Sequence, residues 1–171
     1  PRLTKVTPYV IRTPPPQWGG GTWFFVKLET DTGLVGWGET AVLNAFGGLT
    51  GSYKLMIQET FARYLEGKNP LEPETLYHRM VRGLTHQHAD YARFGVISAF
   101  DTALWDIVGK RAGLPLYQLW GQCHDHIPAY GSGCWRGLGR DGMIERARDF
   151  TDMGVKAIKM QVAHIRPWRE D

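Results

Sequence analysis

Thr22-Trp23-Phe24-Phe25-Val26-Lys27-Leu28-Glu29-Thr30, then Asp31-Thr32-Gly33, then Leu34-Val35-Gly36-Trp37-Gly38-Glu39, reads as two strands folded back on each other. The first run is rich in β-branched and aromatic residues, and Asp-Thr-Gly supplies the tight reversal of a hairpin. Upstream, residues 3–12 read as another strand, ending before Pro14-Pro15-Pro16. The loop between them, residues 14–21, holds Trp18 and three consecutive glycines. That spacing does not suit a nucleotide-binding fingerprint, and a strand follows it rather than a helix. The loop reads as a flap.

Helices follow the strands. Leu55, Met56, Phe61 and Tyr64 recur at helical intervals and predict a helix over 53–64, with Gly67 placed to end it. A shorter helix is expected over 73–82, with Pro73 in its first turn. The longest spans about 95–112, carrying a stripe of Ile97, Phe100, Leu104, Ile107 and Val108, and Gly113 and Pro115 stop it. Residues 116–120 make a last short turn. The rhythm then changes to a strand over 127–133, a helix over 141–153 and a strand over 155–162. That order suits parallel strands joined by a helical crossover. An antiparallel sheet with helices is thus followed by the opening of an α/β domain, and two strands alone do not make a stable sheet.

The chain has 171 residues, 43% of them hydrophobic and 22% charged, as expected of a globular protein. A net charge of +3 without basic clusters interleaved with aromatics argues against nucleic-acid binding. No apolar run approaches the ~20 residues needed to cross a bilayer, and the N-terminal residues lack a signal-peptide core. Cys123 and Cys134 are too few for a disulfide scaffold and fit no common zinc spacing. A cytoplasmic setting is the simplest expectation.

Gly154-Val155-Lys156-Ala157-Ile158-Lys159-Met160-Gln161-Val162 carries the chemistry. Side chains alternate along a strand, so Ile158, Met160 and Val162 form an apolar face suited to packing under a helix. Ala157, Lys159 and Gln161 form the other. A lysine directed into a core is costly unless it meets an anion or sheds its proton, which makes Lys159 a candidate site residue. The alternative is an edge-strand lysine reaching solvent.

Three stretches, Phe25 through Glu39, Val96 through Lys110 (Val-Ile-Ser-Ala-Phe-Asp-Thr-Ala-Leu-Trp-Asp-Ile-Val-Gly-Lys) and Gly113 through Gly121 (Gly-Leu-Pro-Leu-Tyr-Gln-Leu-Trp-Gly), resemble the mandelate racemase/muconate lactonizing branch of the enolase superfamily. The resemblance implies an α+β capping domain, a three-stranded antiparallel sheet plus helices, over residues 1–122. Residues 123–171 would begin a modified (β/α) TIM barrel, truncated to its first βαβ portion, since a full barrel takes ~250 residues. It also implies removal of a proton α to a carboxylate, with Mg2+ steadying the resulting enediolate. No metal ligand can be assigned within the chain, and those ligands are expected beyond Asp171. Lys159 matches the first lysine of the family's Lys-x-Lys, but Gln161 stands where the second, a base, usually sits. Glutamine cannot take a proton. Racemisation needs two bases, whereas elimination of water needs one base and one acid, so the change shifts weight toward dehydration.

The resemblance therefore implies a carbon–oxygen lyase that dehydrates a sugar acid, an aldonate or aldarate, to a 2-keto-3-deoxy acid. Alternatives are a racemase or epimerase, a cycloisomerase, or a non-catalytic capping or oligomerisation fragment. The 171-residue chain alone is expected to be inactive, its parent a homo-oligomer with a small-molecule sugar acid as substrate. Trp18, Gly19 and Gly20 match a loop that closes over substrate; alternatively Trp18 anchors its own loop. Phe46 falls in the equivalent of a second such loop. Ser132, near the C-terminal end of a barrel strand, either binds substrate or bonds local backbone. His164 would stand at the barrel mouth as an acid/base group or hydroxyl contact. His86 and His88 read as a solvated or interface loop, Asp101 and Asp106 as diverging surface or helix-contact residues. Trp105 and Cys134 read as core.

Overall fold

In β2 (Thr22–Thr30), Phe24, Val26, Leu28 and Thr30 are buried while Trp23, Phe25, Lys27 and Glu29 share a half-exposed face. This alternation gives the strand one core face and one open face. The computed structural model describes residues 1–12, 14, 22–40, 49–84 and 90–162. Within them the chain divides into two compact units, Pro1–Gln122 and Cys123–Asp171.

In the first unit, β1 (Leu3–Arg12), β2 and β3 (Val35–Thr40) form an antiparallel sheet in that order. The β2–β3 reversal is closed by Thr30 N donating to Leu34 O at 3.0 Å and Gly33 N to Thr30 O at 3.1 Å. Gly33 takes φ of 81°, a left-handed value that costs glycine little. Helices α1 (Leu49–Thr60), α2 (Pro73–Leu84), α3 (Tyr91–Ala112) and the short α4 (Leu116–Leu119) follow. A π-helical turn, Phe61–Leu65, extends α1 and buries both its end residues.

α3 organises this unit. Asp90 caps it, accepting from Arg93 N at 2.8 Å, and Gly113 ends it with φ of 69°. The cap explains why the helix starts at Tyr91, one turn before the glycine at which a start was expected. Gly36 and Gly38 let α3 lie directly on β3, because a Cβ at either would run into the carbonyl of Ala103 or Ala99. Val96, Ile97, Phe100, Leu104 and Ile107 are fully buried among Phe24, Val26, Leu28, Ile57, Leu65 and Met80. Each such side chain stabilises the fold by roughly 1.5–3 kcal/mol. Trp105 is only half-buried, its ring edge-on to Trp120 at 5.2 Å, so the expected core position is a surface pairing of indoles. Asp106 accepts from Trp37 N at 2.9 Å, while Lys110 donates to Val35 O at 2.9 Å. Together they occupy backbone groups on the free edge of β3, which would otherwise invite another strand.

In the second unit, β4 (Gly131–Cys134) and β5 (Ile158–Met160) pair in parallel, with α5 (Gly139–Asp152) between them in sequence. Both strands are shorter than expected. Ile127 is 83% exposed, and Pro128 cannot donate to a ladder, so pairing begins only at Gly131, where Ala157 O accepts its N–H at 2.8 Å. No residue of α5 is buried.

Candidate active site

The strand pair places its side chains by two local devices. A Cβ at Gly131 would strike the Phe150 ring, so this glycine marks the face of β4 that meets α5. Ser132, the next residue, faces the other way. The β4–β5 register then slips between Ser132 and Cys134, leaving Gly133 as an extra residue. Such a bulge re-aims the side chain that follows. Cys134 consequently turns to the helix side, fully buried, its thiol 3.7 Å from Met143 O. Simple alternation would have put Ser132 and Cys134 on one face; the bulge separates them.

Ser132 is the register partner of Lys159. Adjacent strands lie about 4.8 Å apart, so the two residues are neighbours across the strand pair, on the face away from α5 by alternation. Both residues are exposed. The burial expected for Lys159 is not found: with two strands in the sheet, nothing described covers that face, and the lysine makes no ion pair among the described residues. The apolar face is also only partly covered, Met160 being 47% and Val162 80% exposed. Gln161 continues the ladder, its N–H donating to Cys134 O at 3.1 Å. Its side-chain Oε1 accepts from Arg136 N at 3.3 Å, tying together the C-terminal ends of β4 and β5. Arg136 was not anticipated; the Gly-Ser-Gly run before it was the available sign of an unusual strand end. A cleft of about 460 Å³ opens beside Arg136, Arg140, Met143, Met160 and Gln161.

Trp18, Gly19, Gly20, Phe46, His86, His88 and His164 lie outside the described residues. A pair of donors, one cationic and one a hydroxyl, suits a carboxylate or another oxyanion. It does not suit a hard divalent cation, which wants several oxygen ligands. No group of three potential metal-binding side chains occurs among the described residues, and the strand ends offer serine, lysine and glutamine in place of carboxylates. Among the described residues, three groups of the first unit have a displaced ionisation. A hydrogen bond from Lys27 holds Glu29 below its usual range, burial pushes the Tyr53 phenol up, and burial followed by repulsion from Glu74 pushes Asp101 up.

Residues 12–121 match the model of the mandelate racemase / muconate lactonizing enzyme N-terminal domain. A D-galactonate dehydratase from Pectobacterium atrosepticum is 32% identical over 161 residues, covering 93% of this chain and 38% of that enzyme. A mandelate racemase/muconate lactonizing enzyme-like protein from Roseovarius sp. TM1035 superposes with a TM-score of 0.81 at 31% identity, covering 93% of this chain and 42% of the other. The 3,6-anhydro-D-galactonate cycloisomerase from Zobellia galactanivorans gives 0.79 at 29% identity, with 95% and 43% covered. This chain thus spans about two-fifths of the length of the relatives it matches. Three antiparallel strands backed by helices, then a parallel β-α-β unit, define an α+β capping domain leading into a (β/α) barrel. The chain belongs to the mandelate racemase/muconate lactonizing enzyme family of the enolase superfamily.

Proposed function

We propose that the protein containing this chain dehydrates a sugar acid, an aldonate or aldarate, to a 2-keto-3-deoxy acid. Residues 1–122 would serve as its cap and residues 123–171 as the start of its barrel. The observation that carries this reading is Lys159 beside Ser132 at the C-terminal end of parallel strands, where barrel active sites form. The likeness to a D-galactonate dehydratase supports it.

In the proposed reaction a base takes the proton α to the carboxylate, and the carboxylate oxygens gain negative charge. The Lys159 ammonium is the group of this chain that meets that charge, and Ser132 donates a hydrogen bond to the substrate. The β-hydroxyl then takes a proton from a general acid and leaves as water as its C–O bond breaks, and the enol relaxes to the keto acid. Gln161 is not the base: an amide has no basic lone pair at neutral pH, and its oxygen already accepts from Arg136 N. Trp18, Gly19, Gly20 and Phe46 are proposed to close over the substrate, and His164 to act at the mouth as an acid/base group. Magnesium is proposed as the cofactor of the whole enzyme, held by carboxylates outside the residues described here. Residues 1–171 alone should accordingly bind Mg2+ no more tightly than a surface does and turn over no sugar acid. A cytoplasmic homo-oligomer is the proposed state; no helix among the described residues is long and apolar enough to cross a membrane.

The likeness to a cycloisomerase favours a second reading, in which the same enediolate expels an internal oxygen rather than water. The whole enzyme, incubated with a panel of aldonic and aldaric acids in deuterated water, separates the readings. A keto acid formed with loss of one water supports dehydration, a keto acid isomeric with its substrate supports the second reading, and α-deuteration with inversion and no keto product would overturn both.

A further inference from the structure

One contact fixes the Gln161 side chain and leaves half of its hydrogen-bonding capacity unused. The β4–β5 ladder closes with Gln161 N donating to Cys134 O at 3.1 Å, after which β4 gives way to the short 3-10 turn Arg136–Leu138. Arg136 N, at the start of that turn, is met by the side-chain Oε1 of Gln161 at 3.3 Å. A backbone N–H only donates, so the amide must turn its oxygen toward Arg136, and the other end of the side chain is the nitrogen. Nε2, with its two hydrogens, donates to nothing among the described residues.

The strand supplies the rest of the setting. Gln161 lies two residues past Lys159, so alternation puts both on one face, with Gln161 about 6.6 Å nearer the C-terminal end. Lys159 offers only donors, and the tethered amide now offers only donors as well. Untethered, a glutamine could present either its oxygen or its nitrogen to a ligand. With Oε1 held by Arg136 N, that choice is made in advance.

We propose that Gln161 determines specificity, its amide nitrogen donating a hydrogen bond to a substrate hydroxyl oxygen beyond the two reacting carbons. The inference rests on the dehydration proposed above and adds the residue that tells a polyhydroxy acid from a deoxygenated one. Lys159 holds the carboxylate end, and the amide, one step nearer the strand ends, meets the same ligand farther along its chain. A hydroxyl oxygen has lone pairs to receive this bond. An ammonium in place of that hydroxyl has none, and would set N–H against N–H, so the tether also rejects the amino analogue.

Steady-state kinetics of the whole enzyme tests this, using the sugar acid of the panel that it dehydrates fastest and analogues lacking one hydroxyl at a time beyond C3. One analogue should lose about tenfold or more in kcat/KM. Gln161→Met should lose a similar factor on the complete sugar acid and nothing further on that analogue, because both changes delete the same bond. A glutamine that serves only to hold Arg136 would lower kcat/KM by one factor for every analogue, and that result would overturn the proposal. Gln161→Glu keeps an oxygen for Arg136 N, so its thermal midpoint should match that of the unaltered enzyme. It should also turn over the analogue carrying an ammonium in place of the same hydroxyl, which the unaltered enzyme rejects; equal discrimination by the two would again overturn the assignment. A whole enzyme that dehydrates no sugar acid would remove the underlying reading. One that dehydrates them while its Gln161 variants ignore every hydroxyl would remove this inference alone.

Discussion

The two units bury their residues very differently. In the first, side chains from the sheet, α1, α2 and α3 close into one core, with α3 covered on the sheet side and the helix side. In the second, Cys134 is the one buried hydrophobic side chain among the described residues, and α5 contributes none. The first unit has two full layers and the second a single helix against two strands. The first spends its residues on stability. In a chain that spans about two-fifths of its relatives' length, the open faces of the second unit, the polar one with Ser132 and Lys159 included, are those that the further strands and helices of a barrel would cover.

Phe100→Ala should have the largest effect on this contrast. It removes a fully buried ring from the centre of the first unit, at a cost of roughly 3–5 kcal/mol. Hydrogen exchange should then show protection falling across the sheet and α3 while β4, α5 and β5 change little; equal loss in both units would mean that they unfold as one. Gly38→Ala comes next, at about 1–3 kcal/mol, because the added methyl must push β3 off the Ala99 carbonyl. A thermal midpoint unchanged by Gly38→Ala would show that the close approach is not needed. Met160→Ala should cost under about 1 kcal/mol, since that side chain is already 47% exposed. A cost as large as that of Phe100→Ala would reveal a packed second unit.

Asp101→Asn gives the smallest effect and a definite sign. Burial raises the carboxyl in the folded state, so the native chain binds its proton more tightly than the unfolded chain. That contribution is present below the ordinary aspartate value and is lost as pH rises through the raised folded value. The Asn variant should therefore be slightly more stable than the parent at neutral pH, the gap closing on acidification below the ordinary aspartate range. Denaturant midpoints across that range would check it, and a gap that widens toward acid would reverse the reading.

Much of the first unit was legible in local pattern. Strand β1 falls at the expected residues, the Asp31-Thr32-Gly33 reversal is where the hairpin signal lies, and Gly113 ends α3. What escaped depended on contacts distant in sequence. That Gly36 and Gly38 permit helix contact is visible only once Ala99 and Ala103 are brought against them. Asp106, read as a surface or helix-contact residue, also bonds to the β3 backbone. In the second unit, the facing of Lys159 follows from alternation, but its exposure does not, because burial requires neighbours that alternation cannot supply. The Gly133 bulge escaped for a related reason: an extra residue is defined only against a partner strand. The Gln161–Arg136 link spans both strand ends and has no signature at all in short-range sequence.

The proposed chemistry depends on one ammonium group stabilising charge that forms during the reaction. Its direct test is the steady-state kinetics of the whole enzyme carrying Lys159→Ala, using whichever sugar acid the unaltered enzyme dehydrates fastest. Losing one preorganised donor to a developing oxyanion typically lowers kcat by about 10²–10³, with a smaller change in KM, and that loss is the expected result. Undiminished kcat in the variant would contradict the assignment.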